Sequence, residues 1–197
     1  LVVHYVKDKS QKQNLRDLAR RYHAELEESC DGLSTYKFRL HSYLIHLFCY
    51  TSLNDYVGAI PLCEEMIAFF HEKPFDVVPA TQIALHHQLV GYLQLKDYGT
   101  ATVVANKSLF LLEEGSFNWF KNLEYQLLLA LRLVRYQDAY EVYNKALGHR
   151  QYSSLPESIK EMWGIYQAYL HLLVCLFYTS PSPRTRTRIR MPVSALT

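Results

Sequence analysis

The sequence predicts an all-α fold made of tandem antiparallel helical hairpins. Two observations carry this expectation. A pattern of leucine, aromatic and alanine recurs along the chain, with its tyrosines at 56, 98 and 136, spaced by 42 and then 38 residues. Between these points apolar residues follow the three-to-four-residue spacing of a helix, while glycine and proline, at 7 each in 197 residues, supply little punctuation. Apolar residues make up 49% of the chain, enough to bury a sizeable core.

The repeated segments are Leu53 to Ala59, Leu95 to Ala101, and Val134 to Ala139, each with an aromatic three residues before the alanine. Twelve residues before the alanines stand Leu47, Leu89 and Leu127; nine before stand Tyr50, Tyr92 and Ala130. This spacing predicts a hairpin. Helix A carries the leucine and the aromatic, a short turn follows, and helix B opens on the tyrosine. The alanine is small because two helix backbones approach closely at their crossing. One hairpin cannot bury its apolar face alone, so copies stack.

The Leu47, Tyr50, Tyr56 and Ala59 spacing resembles the framework of tetratricopeptide repeats over about residues 35–147. The resemblance implies a right-handed TPR-like solenoid. Tyr43, Leu85 and Leu123 stand where that family often opens helix A with tryptophan, and the small residue one turn on is leucine. The family's period is about 34 residues. The excess here is ascribed to longer links, Glu72 to Pro79 and Glu113 to Phe117.

The same plan extends outward. Residues 10–29 place Leu15, Leu18, Tyr22 and Leu26 on one stripe, and residues 1–33 read as the helix of an incomplete leading repeat, ended near Asp31-Gly32. The array itself is expected over 34–174. Ser154-Leu-Pro156-Glu157 has the form of a capping box with proline in the first turn, opening a helix through Met162, Trp163, Tyr166, Tyr169 and Leu170. That helix reads as helix A of a fourth repeat.

Residues 175–197 stand apart. They resemble the conceptual translation of a transposase-type sequencing adapter, CLLYTSPSPRD followed by RTRSRMPSSA, at nearly every position from Cys175 to Ala195, departing at Phe177, Thr185, Ile189 and Val193. The resemblance implies a non-native, disordered tail and a natural chain that continues differently after Val174. The tail matters for charge. It holds four of the 21 basic residues and no acid, leaving 17 Lys+Arg against 19 Asp+Glu in residues 1–174, a net of −2. Residues 1–174 therefore give no support for a nucleic-acid partner.

Little in the sequence points to catalysis. His41 and His46 are five apart and His86-His87 are adjacent, whereas helix-borne zinc ligands stand four apart. No H-E-x-x-H, glycine-rich phosphate loop or cysteine pair at ligand spacing occurs. The pairs Glu27-Glu28, Glu64-Glu65 and Glu113-Glu114 diverge by about 100 degrees on a helix and do not converge on one substrate. Trp119, Phe120, Tyr125, Tyr136, Tyr140 and Tyr143 have no basic patch interleaved among them and read as packing groups, not as a base-stacking platform. No enzyme, cofactor or metal is expected.

The resemblance places the functional surface on the inner face of the A helices. The first repeat would present His41, Leu44, Ile45 and Phe48; the second Ile83, His86, His87 and Val90; the third Lys121, Glu124, Tyr125 and Leu128. The lysine and asparagine clamp by which some tetratricopeptide domains grip a terminal carboxylate is replaced by leucine, phenylalanine and histidine. Such a groove suits an amphipathic helix or an extended apolar peptide; packing against further helices stays open beside it. The expected function is a non-catalytic scaffold that binds a protein or peptide. The alternative is the input half of a longer regulatory protein with an output domain beyond Val174. Cys30, Cys49, Cys63 and Cys175 lack close pairing and read as reduced, which fits a cytoplasmic protein. No apolar run is long enough to span a membrane. The chain begins at Leu1, which leaves a fragment or a lost signal peptide open.

Overall fold

The computed structural model describes residues 36–73 and 76–179, together with eight isolated positions between Gln13 and Glu28. Those described residues form helices and no strand. The helices are α1 (Tyr36–Ser52), α2 (Tyr56–His71), α3 (Val77–Gln94), α4 (Tyr98–Leu109), α5 (Phe117–Arg132), α6 (Tyr136–Leu147) and α7 (Glu157–Thr179), with a 3₁₀ turn at Tyr152–Ser154. The chain divides into two compact units, Leu1–Ser154 and Leu155–Thr197.

In the first unit each helix packs chiefly on its neighbours in sequence. Tyr56, Tyr98 and Tyr136 are the first residues of α2, α4 and α6, as the repeat pattern predicts. The three hairpin turns are built alike. Asn54, Lys96 and Val134 adopt left-handed backbone conformations, with φ of 55°, 62° and 60°. The next residue's N–H then reaches back to the helix it left: Asp55 to the Tyr50 carbonyl (2.8 Å), Asp97 to Tyr92 (2.9 Å) and Arg135 to Ala130 (2.8 Å). This is the hydrogen bonding of a Schellman motif, which satisfies carbonyls that a helix end leaves unpaired.

The same residue begins the next helix. The Asp55 carboxylate accepts from the Gly58 N–H, and that of Asp97 from the Thr100 N–H, both at 3.1 Å. An aspartate here stabilises a helix start by supplying an acceptor to orphaned N–H groups. Arg135 has no such acceptor and makes no side-chain cap.

The alanines behave as the crossing geometry requires. Ala59, Ala101 and Ala139 are fully buried. Two clusters of buried side chains lie among the described residues of α1 to α5. The first joins Tyr43 and Leu47 of α1 to Ala59, Cys63, Met66 and Phe70 of α2 and Ala80 and Ala84 of α3. The second joins Leu85 and Leu89 of α3 to Ala101, Val104 and Ala105 of α4 and Leu129 of α5. α3 thus serves both, through a small face and a leucine face. Its small face admits α2 closely: a methyl added at Gly91 would lie 3.2 Å from the Ile60 side chain. Polar bonds stitch the second hairpin and tie it to the third. Gln82 Nε2 donates to the Leu111 carbonyl (2.5 Å), and the buried Asn122 donates through Nδ2 to the Ala105 carbonyl (3.2 Å).

Expectations at the starts of α3 and α7 change. α3 begins at Val77, capped by the Asp76 carboxylate, inside the stretch expected to be a link. Pro79 therefore stands third in the helix, where its missing N–H costs no intrahelical bond. The capping box at Ser154 does not form. Ser154 closes the 3₁₀ turn, its N–H bonded to the Gln151 carbonyl at 3.1 Å, and the Pro156 carbonyl accepts the first bonds of α7 instead. A 3₁₀ backbone is not the extended conformation that an N-cap needs, and Glu157 pairs with Lys160 (2.9 Å).

The link before α5 covers 110–116, so Phe117, expected within the link, opens the helix instead. Gly115 has φ of 81° and is faced by Gln151 and His149. Its left-handed backbone favours glycine. Ser116 then caps α5 by accepting from the Trp119 N–H (3.2 Å).

In the second unit, α7 carries Trp163, Tyr166 and Leu170 buried on one stripe, and Met162, Ile165, Tyr169 and Leu172 exposed. It continues without a break across Val174 and Cys175 to Thr179; positions 180–197 lie outside the described residues, as do Leu15, Tyr22, Leu26, Cys30 and the Asp31-Gly32 stop. Cys175 is exposed, not a core residue, whereas Cys63 is buried and Cys49 half-buried. None of the described helices is long and apolar enough to cross a membrane.

Candidate functional site

The groove residues proposed from sequence lie on α1, α3 and α5, and they are not equally available. On α1, Ile45 is 55% exposed and Phe48 41%. His41 is exposed and Leu44 half-buried; the His41 Nδ1 stands 2.6 Å from the Lys37 carbonyl. On α3, His86 is exposed, while Ile83, His87 and Val90 are half-buried. Ile83 packs against the first core cluster, beside Tyr43 and Leu47. On α5, Lys121, Tyr125 and Leu128 are half-buried and Glu124 is buried.

Glu124 is thus a supporting group, not a presented one. Its carboxylate accepts from Lys121 Nζ at 2.8 Å. The Glu124 side chain is only 8% exposed, so this ion pair holds the ammonium in place more firmly than a pair between two solvated groups. Lys121 also lies over the Tyr125 ring, 5.7 Å from its centre, a distance at which the ring quadrupole attracts a cation.

α3 and α5 meet at this point. The His86 ring stands 5.8 Å from that of Tyr125 and 5.8 Å from that of His87. Burial and then the positive charge of Lys121 hold His86 below the ordinary imidazole value. The residue as a whole is exposed, but its ring packs against those of Tyr125 and His87. Burial and then His86 lower His87 as well. Both imidazoles are therefore uncharged at neutral pH. Burial raises the Tyr125 hydroxyl, so it too stays neutral. With Lys121 balanced by Glu124, the surface here carries no net charge at neutral pH and offers rings and aliphatic carbon.

The other side chains considered from sequence are elsewhere. Trp119 and Phe120 are buried and pack on the His149 ring at 5.0 and 5.6 Å. Tyr143 is buried too. They are core groups and present no stacking platform. Glu64, Glu65, Glu113 and Glu114 are exposed; Glu65 accepts from the Tyr43 hydroxyl at 3.1 Å. Among the described residues no three His, Cys, Asp or Glu side chains converge to hold a metal ion.

Two features were not foreseen. One is the Gln82 and Asn122 stitching. The signal available was a pair of amides within apolar helical runs. The other is the approach of the His86 ring to that of Tyr125, which no local spacing announces. No family model, curated protein or solved structure matches the chain.

Proposed function

We propose that residues 34–174 act as a non-catalytic, TPR-like scaffold of the cytoplasm, a right-handed solenoid that binds a protein or peptide along its A helices. The observation that carries this reading is the exposure of Ile45 and Phe48 on α1 and of His86 on α3, with the half-buried Tyr125 of α5 beside His86. These side chains lie on hairpins whose turns repeat the same backbone hydrogen bonds. Rigid repeated helices present a preordered surface, which lowers the entropy lost when an extended or helical peptide docks. Phe48→Ala and Leu128→Glu test it. In protein that keeps its helical circular dichroism, each should weaken a saturable peptide partner by about tenfold, in line with the loss of an anchoring side chain. Full affinity in both would reject the groove.

We further infer that residues 175–197 derive from adapter sequence. The support is their likeness to that translation, position by position. Resequencing the source DNA across Val174–Cys175 tests it, and recovery of the same tail from independent DNA would overturn it.

A further inference from the structure

We propose that His86, His87 and Lys121, gathered where α3 meets α5, form a proton-gated site for a carboxylate side chain of an acidic peptide. The proposal deepens the groove reading, because the carboxylate belongs to the peptide bound there.

The geometry is a short row of cationic and potentially cationic groups on a partly apolar floor. Lys121 Nζ is fixed by Glu124 (2.8 Å) and by the Tyr125 ring beneath it (5.7 Å). The His86 ring stands 5.8 Å from the rings of both Tyr125 and His87. α5 contributes Lys121, Glu124 and Tyr125. The charge that acts on His86 is that of Lys121, and the charge that acts on His87 is that of His86.

Two states follow. At neutral pH Lys121 is neutralised by its partner and the imidazoles are uncharged, so a carboxylate gains nothing here and loses hydration. Below the range in which the imidazoles protonate, one Glu124 carboxylate faces up to three cations, and the row carries excess positive charge. An arriving carboxylate offsets that repulsion and holds the protons in place. Linkage makes the effect reciprocal: a ligand that raises the histidine proton affinity binds more tightly as the pH falls.

The test uses the full chain and two fluorescent amphipathic helical peptides, identical except that one has Glu where the other has Gln. Binding is read by anisotropy at pH 7.5 and 5.5, with circular dichroism confirming the fold at both. A glutamate side chain remains ionised at pH 5.5. The preference for the Glu peptide should grow about tenfold on acidification, as expected for one shifted proton equilibrium of about one unit. In H86Q/H87Q it should change less than about twofold. An unchanged preference in the natural sequence, or the same growth in the variant, overturns the proposal. The Gln peptide at pH 7.5 reports on the groove separately. If neither peptide binds at all, the groove reading fails, and imidazole proton resonances then decide the anion site. Their titration midpoints should rise in sodium sulfate relative to chloride of equal ionic strength, and equal midpoints overturn it.

Discussion

Val134 occupies in the third hairpin turn the left-handed position that Asn54 holds in the first, with φ of 60° against 55°. The two residues are unequal there. Asparagine visits this region readily, whereas a β-branched side chain crowds its own carbonyl. Val134 is also 64% exposed, so no burial offsets the strain. The hydrogen bonding around it is nevertheless intact, with the Arg135 N–H on the Ala130 carbonyl at 2.8 Å. Val134→Asn should therefore stabilise the protein by about 1 kcal/mol, read as a higher midpoint in urea with an unchanged slope. A lower midpoint would show that Val134 has contacts worth more than its strain.

The fully buried alanines at the hairpin crossings leave no room for a larger side chain. Ala101→Leu inserts three carbons between α3 and α4 and should destabilise by about 1–3 kcal/mol. Val103→Leu, at a position 53% exposed on the same helix, is the control and should stay within about 0.5 kcal/mol of the natural sequence.

Acid should weaken the fold through His86 and His87. Both have folded values held below the ordinary 6.5. As pH falls through 6.5 the unfolded chain takes up these protons first, so stability drops, and it levels off only below the folded values. The stabilisation is fully present above 6.5. The fall in melting temperature between pH 7.5 and 5 should be smaller in H86Q/H87Q than in the natural sequence. Equal falls would place the acid sensitivity elsewhere.

The thiols should separate by reactivity. Cys63 has no exposed surface, and burial, followed by the charge of Glu64, pushes its thiol up to about 12. Cys175 is exposed. Because the thiolate is the reacting form, iodoacetamide at pH 7.5 should label Cys175 at least about a hundredfold faster than Cys63 in folded protein. Mass spectrometry of tryptic peptides measures both rates. Comparable labelling would mean that α2 opens readily.

The sequence by itself determined the helical hairpins and their register. Apolar period and the Tyr-to-Ala interval are local signals, and the helix starts and turns they mark are fixed by groups a few residues apart. For that reason Tyr56, Tyr98 and Tyr136 could be placed at helix starts without coordinates. The misplaced capping box at Ser154 marks the edge of that legibility, since a neighbouring 3₁₀ turn claimed the residue. What the tertiary structure alone decided is which faces meet. Ala80, Ala84 and Gly91 could have faced solvent; their place beneath α2 follows from how closely two helices pack. Glu124 was expected to line the groove and is instead buried under Lys121. The approach of His86 to Tyr125 and Lys121 spans about forty residues of chain. Contacts of that length depend on the rotation of one hairpin against the next, which is set by the summed shape of many side chains and by no local motif.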